Sequence, residues 1–324
     1  MTGNFYQIRK TCSQQHIYII ALVIFAISSC IGRNSGQQTK QQTESAKQFS
    51  LPSVPMMITD PQARADYIVS NYWNNFDFND TTFINKPDIT EQAFVDYIYM
   101  LSHAEQLVVI ASVGNMLERA QVNEDMFTYF TDLLEKYLYD PNSPMRNEEI
   151  YIIALEYIID SPKINETNKL RPRFQFEQLN KNRPGQIAID FVYTLANEKR
   201  ERMHQIKSDY LIIFFNNPGC HACNGIQLGL ENSPVILRMQ EIGALKILAM
   251  YVDEEIDEWK RYHSSVPTQW INGYDASLVI RDEQLYDLRA IPNLYLLDKD
   301  KQVILKDAPP EYLEQLLINI MQAG

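Results

Sequence analysis

The sequence predicts a two-domain α+β protein: an all-helical domain first, then an α/β domain whose central mixed sheet is flanked by helices. Three observations predict it. Between residues 52 and 180, apolar and aromatic side chains recur at spacings of three and four, the period of a packed helix face. From residue 210 onward the pattern becomes short continuous apolar runs, 210–215 and 245–252, separated by a helix-length segment. The C-terminal segment then offers two strands around a polar turn and one amphipathic helix.

The N-terminus sets the expected compartment. Arg9 and Lys10 are the only charged side chains before Arg33, and they precede the apolar run 17–27. That run is short for a bilayer span and ends in Ser28 and Ser29, the layout of a secretory signal peptide over residues 1–29. Cys30 follows directly. Ile27-Ser-Ser-Cys30 resembles the lipobox of bacterial lipoproteins, which implies that Cys30 is lipidated and becomes the first mature residue. The other reading is an uncleaved anchor, and both export the rest of the chain. The expected place is the cell envelope, membrane-anchored and facing the periplasm. Residues 30–51 are rich in Gln, Ser and Thr and hold almost no apolar side chains. They are expected to form a flexible tether with a reach on the order of 70 Å.

Removing residues 1–29 takes away two positive charges and no negative ones, so the formal charge moves from −12 to −14. The remainder suffices for two ordinary domains. An acidic chain without basic runs argues against nucleic acid and against electrostatic docking on anionic lipid, so the membrane would be reached through Cys30.

Residues 52–182 form the expected helical domain. Asp60-Pro61 places an N-cap before a proline at the first helical position, and Asn123 and Asn147 are further N-caps. Helices are expected over 89–101, 123–139 and 147–159, with breaks at Asp140-Pro141 and Ser161-Pro162. Ser102-His-Ala-Glu105 reads as a capping box opening an apolar segment with Leu107, Val108 and Ile110. Phe94, Tyr97, Tyr99, Phe127, Tyr129 and Phe130 are expected on packed faces, as are Tyr137, Tyr151 and Tyr157. No fixed-period repeat and no catalytic constellation is visible in this part.

Residues 183–324 change character. The run 210–215 suits a central strand covered on both faces; Asn217-Pro-Gly219 breaks it, and Cys220-His-Ala-Cys223 opens a helix expected to reach about Met239. With the second run, 245–252, this makes a βαβ unit with a right-handed crossover. Strands 293–297 and 302–305 flank the turn 298–301, and Pro310 begins a helix with Leu313, Leu316, Leu317 and Ile320 on one face.

Cysteine usage isolates one pair. Cys12 lies in the signal segment and Cys30 at the lipidation point, leaving Cys220 and Cys223. An exported chain with a single close pair does not use disulfides as a general staple. The pair sits in FFNNPGCHAC. VDEE, WKRYHSSVPTQWINGYD and LYDLRAIPNLYLLDKDKQVI follow, the last with Pro292 before the hairpin. On these features residues 183–324 resemble the TlpA-type branch of the thioredoxin superfamily, exported membrane-tethered reductases. The helical half resembles, more loosely, the domain found upstream of thioredoxin domains in Bacteroidetes lipoproteins. The resemblance implies a thioredoxin-fold domain and a cis bond at Ile291-Pro292, with the backbone of Ile291 free to pair with a substrate polypeptide. The expected partners are protein disulfides and a redox partner; no cofactor is expected. The family often has Trp immediately before the first cysteine, whereas this chain has Gly219, part of the expected contact surface, so partner specificity does not carry over.

The chemistry of the pair can also be argued from the residues. At a helix N-terminus the macrodipole and free N–H groups stabilise a thiolate, so Cys220 would attack a substrate disulfide and Cys223, one turn inside, would resolve the mixed disulfide. His221 would add to thiolate stabilisation when protonated, or stand by in solvent. Asp253, Glu254 and Glu255 should reach the same sheet edge and oppose the thiolate, which favours a reductant. Zinc would need four ligands, and His204, His221 and His263 do not pair at metal-ligand spacing. A purely structural bridge over so short a loop adds little entropic stability. A peroxiredoxin would carry threonine ahead of its cysteine, where this chain has Asn216, Asn217 and Pro218. The competing reading is a non-catalytic binding lipoprotein that uses the α/β domain as a scaffold.

Overall fold

The computed structural model describes residues 49–323; the signal segment, Cys30 and most of the expected tether lie outside the described residues. The first half is helical: α1 Pro61–Asn71, α2 Pro87–Leu101, α3 Gln106–Ala120, α4 Glu124–Leu134, α5 Glu148–Asp160 and α6 Leu170–Asn180. Asp60, Asn123 and Asn147 each accept the backbone N–H three residues on, at 2.8, 3.0 and 3.1 Å, satisfying donors the helix cannot. The helix expected over 123–139 runs as α4 and then a wide turn, Glu135–Tyr139.

Ser102 behaves differently from its sequence signature. It closes α2, its hydroxyl donating to the Tyr99 carbonyl at 2.7 Å. Helix α3 starts only after Glu105, whose N–H is taken by Asp66 Oδ1 of α1 at 2.9 Å. A tertiary acceptor thus replaces the local cap. The start it sets turns Val109, Val113, Met116 and Leu117 inward and leaves Leu107 and Ile110 exposed.

Trp73 anchors the helical core, with the rings of Tyr72, Phe76, Tyr97 and Phe130 centred 5.2–5.4 Å away. Arg119 ties this cluster to α3, donating to the carbonyls of Trp73 (2.7 Å) and Phe76 (3.0 Å). Phe94, Tyr97, Phe130 and Tyr151 are buried as expected, whereas Tyr99 is exposed and leans on His103.

The second half is a seven-stranded mixed sheet in the order β2-β1-β5-β4-β3-β6-β7. Its elements in chain order are β1 Val192–Leu195, β2 Arg200–Arg202, β3 Tyr210–Phe215, α7 His221–Asn232, α8 Pro234–Glu241 and β4 Leu245–Tyr251. Then come α9 Ile256–Tyr262, β5 Ile271–Tyr274, α10 Val279–Asp282, β6 Asn293–Asp298, β7 Val303–Lys306 and α11 Pro310–Ala323. Strand β3 lies between parallel β4 and antiparallel β6, and residues 211–215 are all buried, which is why that run lacks alternation. The helix expected to run to Met239 breaks at Ser233-Pro234, because Pro234 has no N–H to continue α7 and opens α8 instead.

The halves join through a network of half-buried charges around the buried Asp287. The Arg289 guanidinium lies 3.7 Å over the Tyr139 ring, and Arg289 donates to the Tyr139 carbonyl (2.7 Å), Glu148 Oε1 (2.6 Å) and Asp287 Oδ1 (2.9 Å). Burial alone would push this guanidinium down, but Asp287, Tyr139 and Glu148 together hold it up. Lys306 reaches Glu148 Oε2 at 3.2 Å and the Leu179 carbonyl at 2.9 Å. Arg146 pairs with the Asp307 carboxylate and donates to its backbone carbonyl. Burial outweighs Arg146 and pushes the Asp307 carboxyl up to about 6.

Candidate active site

Strand pairing assembles the site. In the antiparallel β3–β6 pair Phe215 faces Asn293, so the next step outward sets Asn216 opposite Pro292. In the parallel β3–β4 pair Phe215 faces Met250, so both strands release their chains at one edge. Asn216 N–H donates to the Met250 carbonyl (3.0 Å), and Asn217 Nδ2 donates to Asp253 Oδ2 (2.6 Å), stitching the two loops together.

Gly219 then turns the chain with φ at +73°, where a side chain is strained. A Cβ at this position would meet nothing within 4 Å, so conformation rather than space selects glycine. The turn aims Cys220 at the start of α7 as its N-cap, with Sγ accepting the Cys223 N–H at 3.1 Å. Cys220 and Cys223 are disulfide-bonded with Cα atoms 5.2 Å apart. Cys220 is half-buried and Cys223 buried, while Gly219 and His221 are exposed. The Ile291-Pro292 peptide is cis, and Ile291 packs against the same apolar cluster as Cys220. The sheet therefore brings together Cys220, Cys223, Gly219, His221, Ile291 and Pro292; Cys30 lies outside the described residues.

The carboxylates also converge. A cleft of about 240 Å³ beside Asn217 and Pro218 is walled by Asp253, Glu254, Glu255 and Glu258, with Arg281 on its rim. Tyr251 lines it as well; burial, with Asp253, Glu258 and Glu255 around it, pushes its hydroxyl up to about 12 and keeps it a donor, here to the Glu255 carbonyl at 3.3 Å. Glu258 and Arg281 carried no sequence signal, since only folding of α9 and α10 brings them to this edge. Among the described residues no group of three or more His, Cys, Asp or Glu is arranged to hold a metal. His204 and His263 bond the Ala188 and Lys260 carbonyls.

A second cleft, of about 290 Å³, opens beyond Ile291 and is lined from the sheet side by Val252, Ile280 and Leu288 and from the helical half by Tyr139 and Phe174. Sequence reasoning missed this wall, because Tyr139 and Phe174 belong to the other domain and come to line a cleft with Ile291 only on folding.

Residues 29–182 match the family described as domain of unknown function DUF5106. The chain is 45% identical to a thioredoxin-like protein from Bacteroides caccae, over 84% of this chain and 99% of that one, with a TM-score of 0.81. It is 49% identical to the C-terminal domain of an uncharacterized protein from Bacteroides fragilis, over 42% of this chain and 98% of that one, with a TM-score of 0.42. Against nucleoredoxin from Xenopus laevis it is 25% identical over 121 residues, which are 37% of this chain and span only 29% of that protein's length. With a thioredoxin-fold sheet presenting Cys-His-Ala-Cys at the end of its central strand, and a relative matched along almost its whole length, the chain belongs to the thioredoxin-like proteins, with a DUF5106 domain ahead of the redox-type fold.

Proposed function

We propose that this protein is an exported, lipid-anchored thiol–disulfide oxidoreductase that reduces or isomerises disulfides of other proteins in the cell envelope. The observation that carries the reading is the pair itself: a half-exposed Cys220 capping α7 and a buried Cys223 one turn in, already joined as a disulfide. Two cysteines so placed have unequal tasks. From the dithiol form, the Cys220 thiolate attacks one sulfur of the substrate disulfide and expels the other as a thiolate, which takes up a proton. Cys223 then loses its proton and attacks Cys220 Sγ, releasing the second substrate thiol and closing the Cys220–Cys223 bond. Two electrons and two protons pass to the substrate, and a dithiol donor resets the pair.

The acidic cleft supports the reducing direction. The α7 N-terminus favours the Cys220 thiolate, but Asp253, Glu254, Glu255 and Glu258 oppose it, and an opposed thiolate favours the disulfide form, the poise of a reductant. Export and anchoring rest on the signal-like residues 1–29 and on Cys30; no described helix is long and apolar enough to cross a membrane.

The test is asymmetric trapping. With Cys223→Ser, Cys220 still attacks but cannot be released, so mixed disulfides with envelope proteins accumulate on non-reducing gels. With Cys220→Ser the remaining thiol is buried and few adducts form. Equal trapping by both variants, or none by either, defeats the proposal and favours a scaffold role for the α/β domain. Loss of lipid labelling in Cys30→Ser tests the anchor separately.

A further inference from the structure

We infer that the helical domain forms the second wall of the substrate site, receiving an extended polypeptide segment that carries an apolar side chain and a basic residue near its reacting cysteine. The inference deepens the proposed function and rests on it.

The first support is the unpartnered Phe174. It sits on α6, is 45% exposed and lines the 290 Å³ cleft together with Tyr139 and Ile291. Two residues on, Phe176 packs against the helical core, so Phe174 points away from the surface that holds its own domain together. A single exposed aromatic needs no explanation. One that lines the same cleft as Ile291, a cleft that takes one or two side chains, supplies an apolar wall next to the residue preceding the cis proline.

The second support is charge. Asp253 and Arg281 line both this cleft and the acidic one, so the surface runs without a break from Phe174 to Pro218. Against four carboxylates there (Asp253, Glu254, Glu255 and Glu258) stands one cation, Arg281, itself 3.3 Å from Asp282 and 3.8 Å from Glu254. Four negative charges and one positive leave three negative, which suits a lysine or arginine and repels an acidic segment. The occupant is therefore a polypeptide with an apolar residue on one side of its cysteine and a basic one on the other.

The experiment uses the full chain, reduced and freed of reductant, in single-turnover exchange with short peptides whose one cysteine is a mixed disulfide with glutathione. One peptide carries Leu and Lys beside the cysteine, the other Ser and Glu, and glutathione disulfide, flanked only by γ-glutamyl and glycine, serves as the probe without an apolar or basic flank. The Leu/Lys peptide should react faster than the Ser/Glu peptide. Phe174→Ala should slow the Leu/Lys peptide about tenfold, the scale of one lost aromatic contact, and leave glutathione disulfide unchanged. Phe174→Leu, which keeps apolar bulk, should restore most of the rate. Equal rates for the two peptides, or equal slowing of peptide and glutathione disulfide by Phe174→Ala, overturns the inference while exchange itself stands. Failure of the wild type to react with any of the three disulfides overturns the redox reading and the inference together.

Discussion

Replacing Arg289 with Met should loosen the joint between the halves. The side chain is 19% exposed, donates to Asp287, Glu148 and the Tyr139 carbonyl, and covers the Tyr139 ring. Methionine keeps much of the stem but leaves Asp287, whose side chain is 4% exposed, without its cation. Arg289 bonds Asp287 Oδ1, and Oδ2 has no hydrogen-bond partner among the described residues, so the orphaned charge has little to fall back on. Breaking a buried pair by removing one partner costs about 3–5 kcal/mol, most of it the price of the charge left behind. At roughly 2–4 °C per kcal/mol for chains somewhat smaller than this one, the melting temperature should fall by about 10 °C. Circular dichroism of the oxidised form reads both melting and the urea midpoint. Adding Asp287→Asn to Arg289→Met should recover a large part of the loss, because it removes the uncompensated carboxylate. A loss below about 1 kcal/mol, the level of an exposed pair, would refute the argument that this network is buried and structural.

Two further perturbations test the fold at other points. Asp307 has its carboxyl raised from 3.8 to about 6 in the native state, so the folded chain holds a proton that the unfolded chain has already lost. Its contribution to stability is full below the unfolded value and is lost as pH rises through about 6, by no more than about 3 kcal/mol. Urea midpoints at pH 4.5 and 7.5 should show this decline in the wild type relative to Asp307→Asn; identical pH dependence in the two proteins would count against it. Gly273→Ala places a Cβ 2.8 Å from Tyr193 Cδ2, forcing the ring whose hydroxyl donates to Glu201. It should cost about 1–3 kcal/mol, read from the urea midpoint, without changing exchange at Cys220; a neutral substitution would show that the β1–β5 edge yields freely.

Some of the site was legible because its signals are local. A buried strand, a proline-glycine break and two cysteines three residues apart specify a dithiol at a helix start whatever surrounds them, and β6 and β7 declared themselves by the turn between them. The N-caps at Asp60, Asn123 and Asn147 read correctly for the same reason: acceptor and donor lie three residues apart in the chain. Ser102 carried the same local signature and misled, because Asp66, distant in sequence, supplied the acceptor that decides where α3 begins. The helix after Cys220 stops at Asn232, short of the expected Met239, because Pro234 opens a separate helix.

What depended on distance was not legible. Strands β1, β2 and β5 have three or four residues each and little alternation, so the neighbours they pair with define them. Trp73 stands in an aromatic run with Tyr72 and Phe76, but its place at the centre of the core depends on Tyr97 of α2 and Phe130 of α4 closing around it. The sequence by itself determined the dithiol and the strands that carry it, since each is written within a few consecutive residues, while the place of Pro292 opposite the pair came from the family resemblance. Only the tertiary structure decided that Glu258 and Arg281 share a cleft with Asn217 and Pro218, that Arg289 locks the halves together, and that Phe174 and Ile291 line one cleft. Those relations join residues from about 40 to more than 100 positions apart, and no periodicity or spacing records a contact made only when separate elements pack.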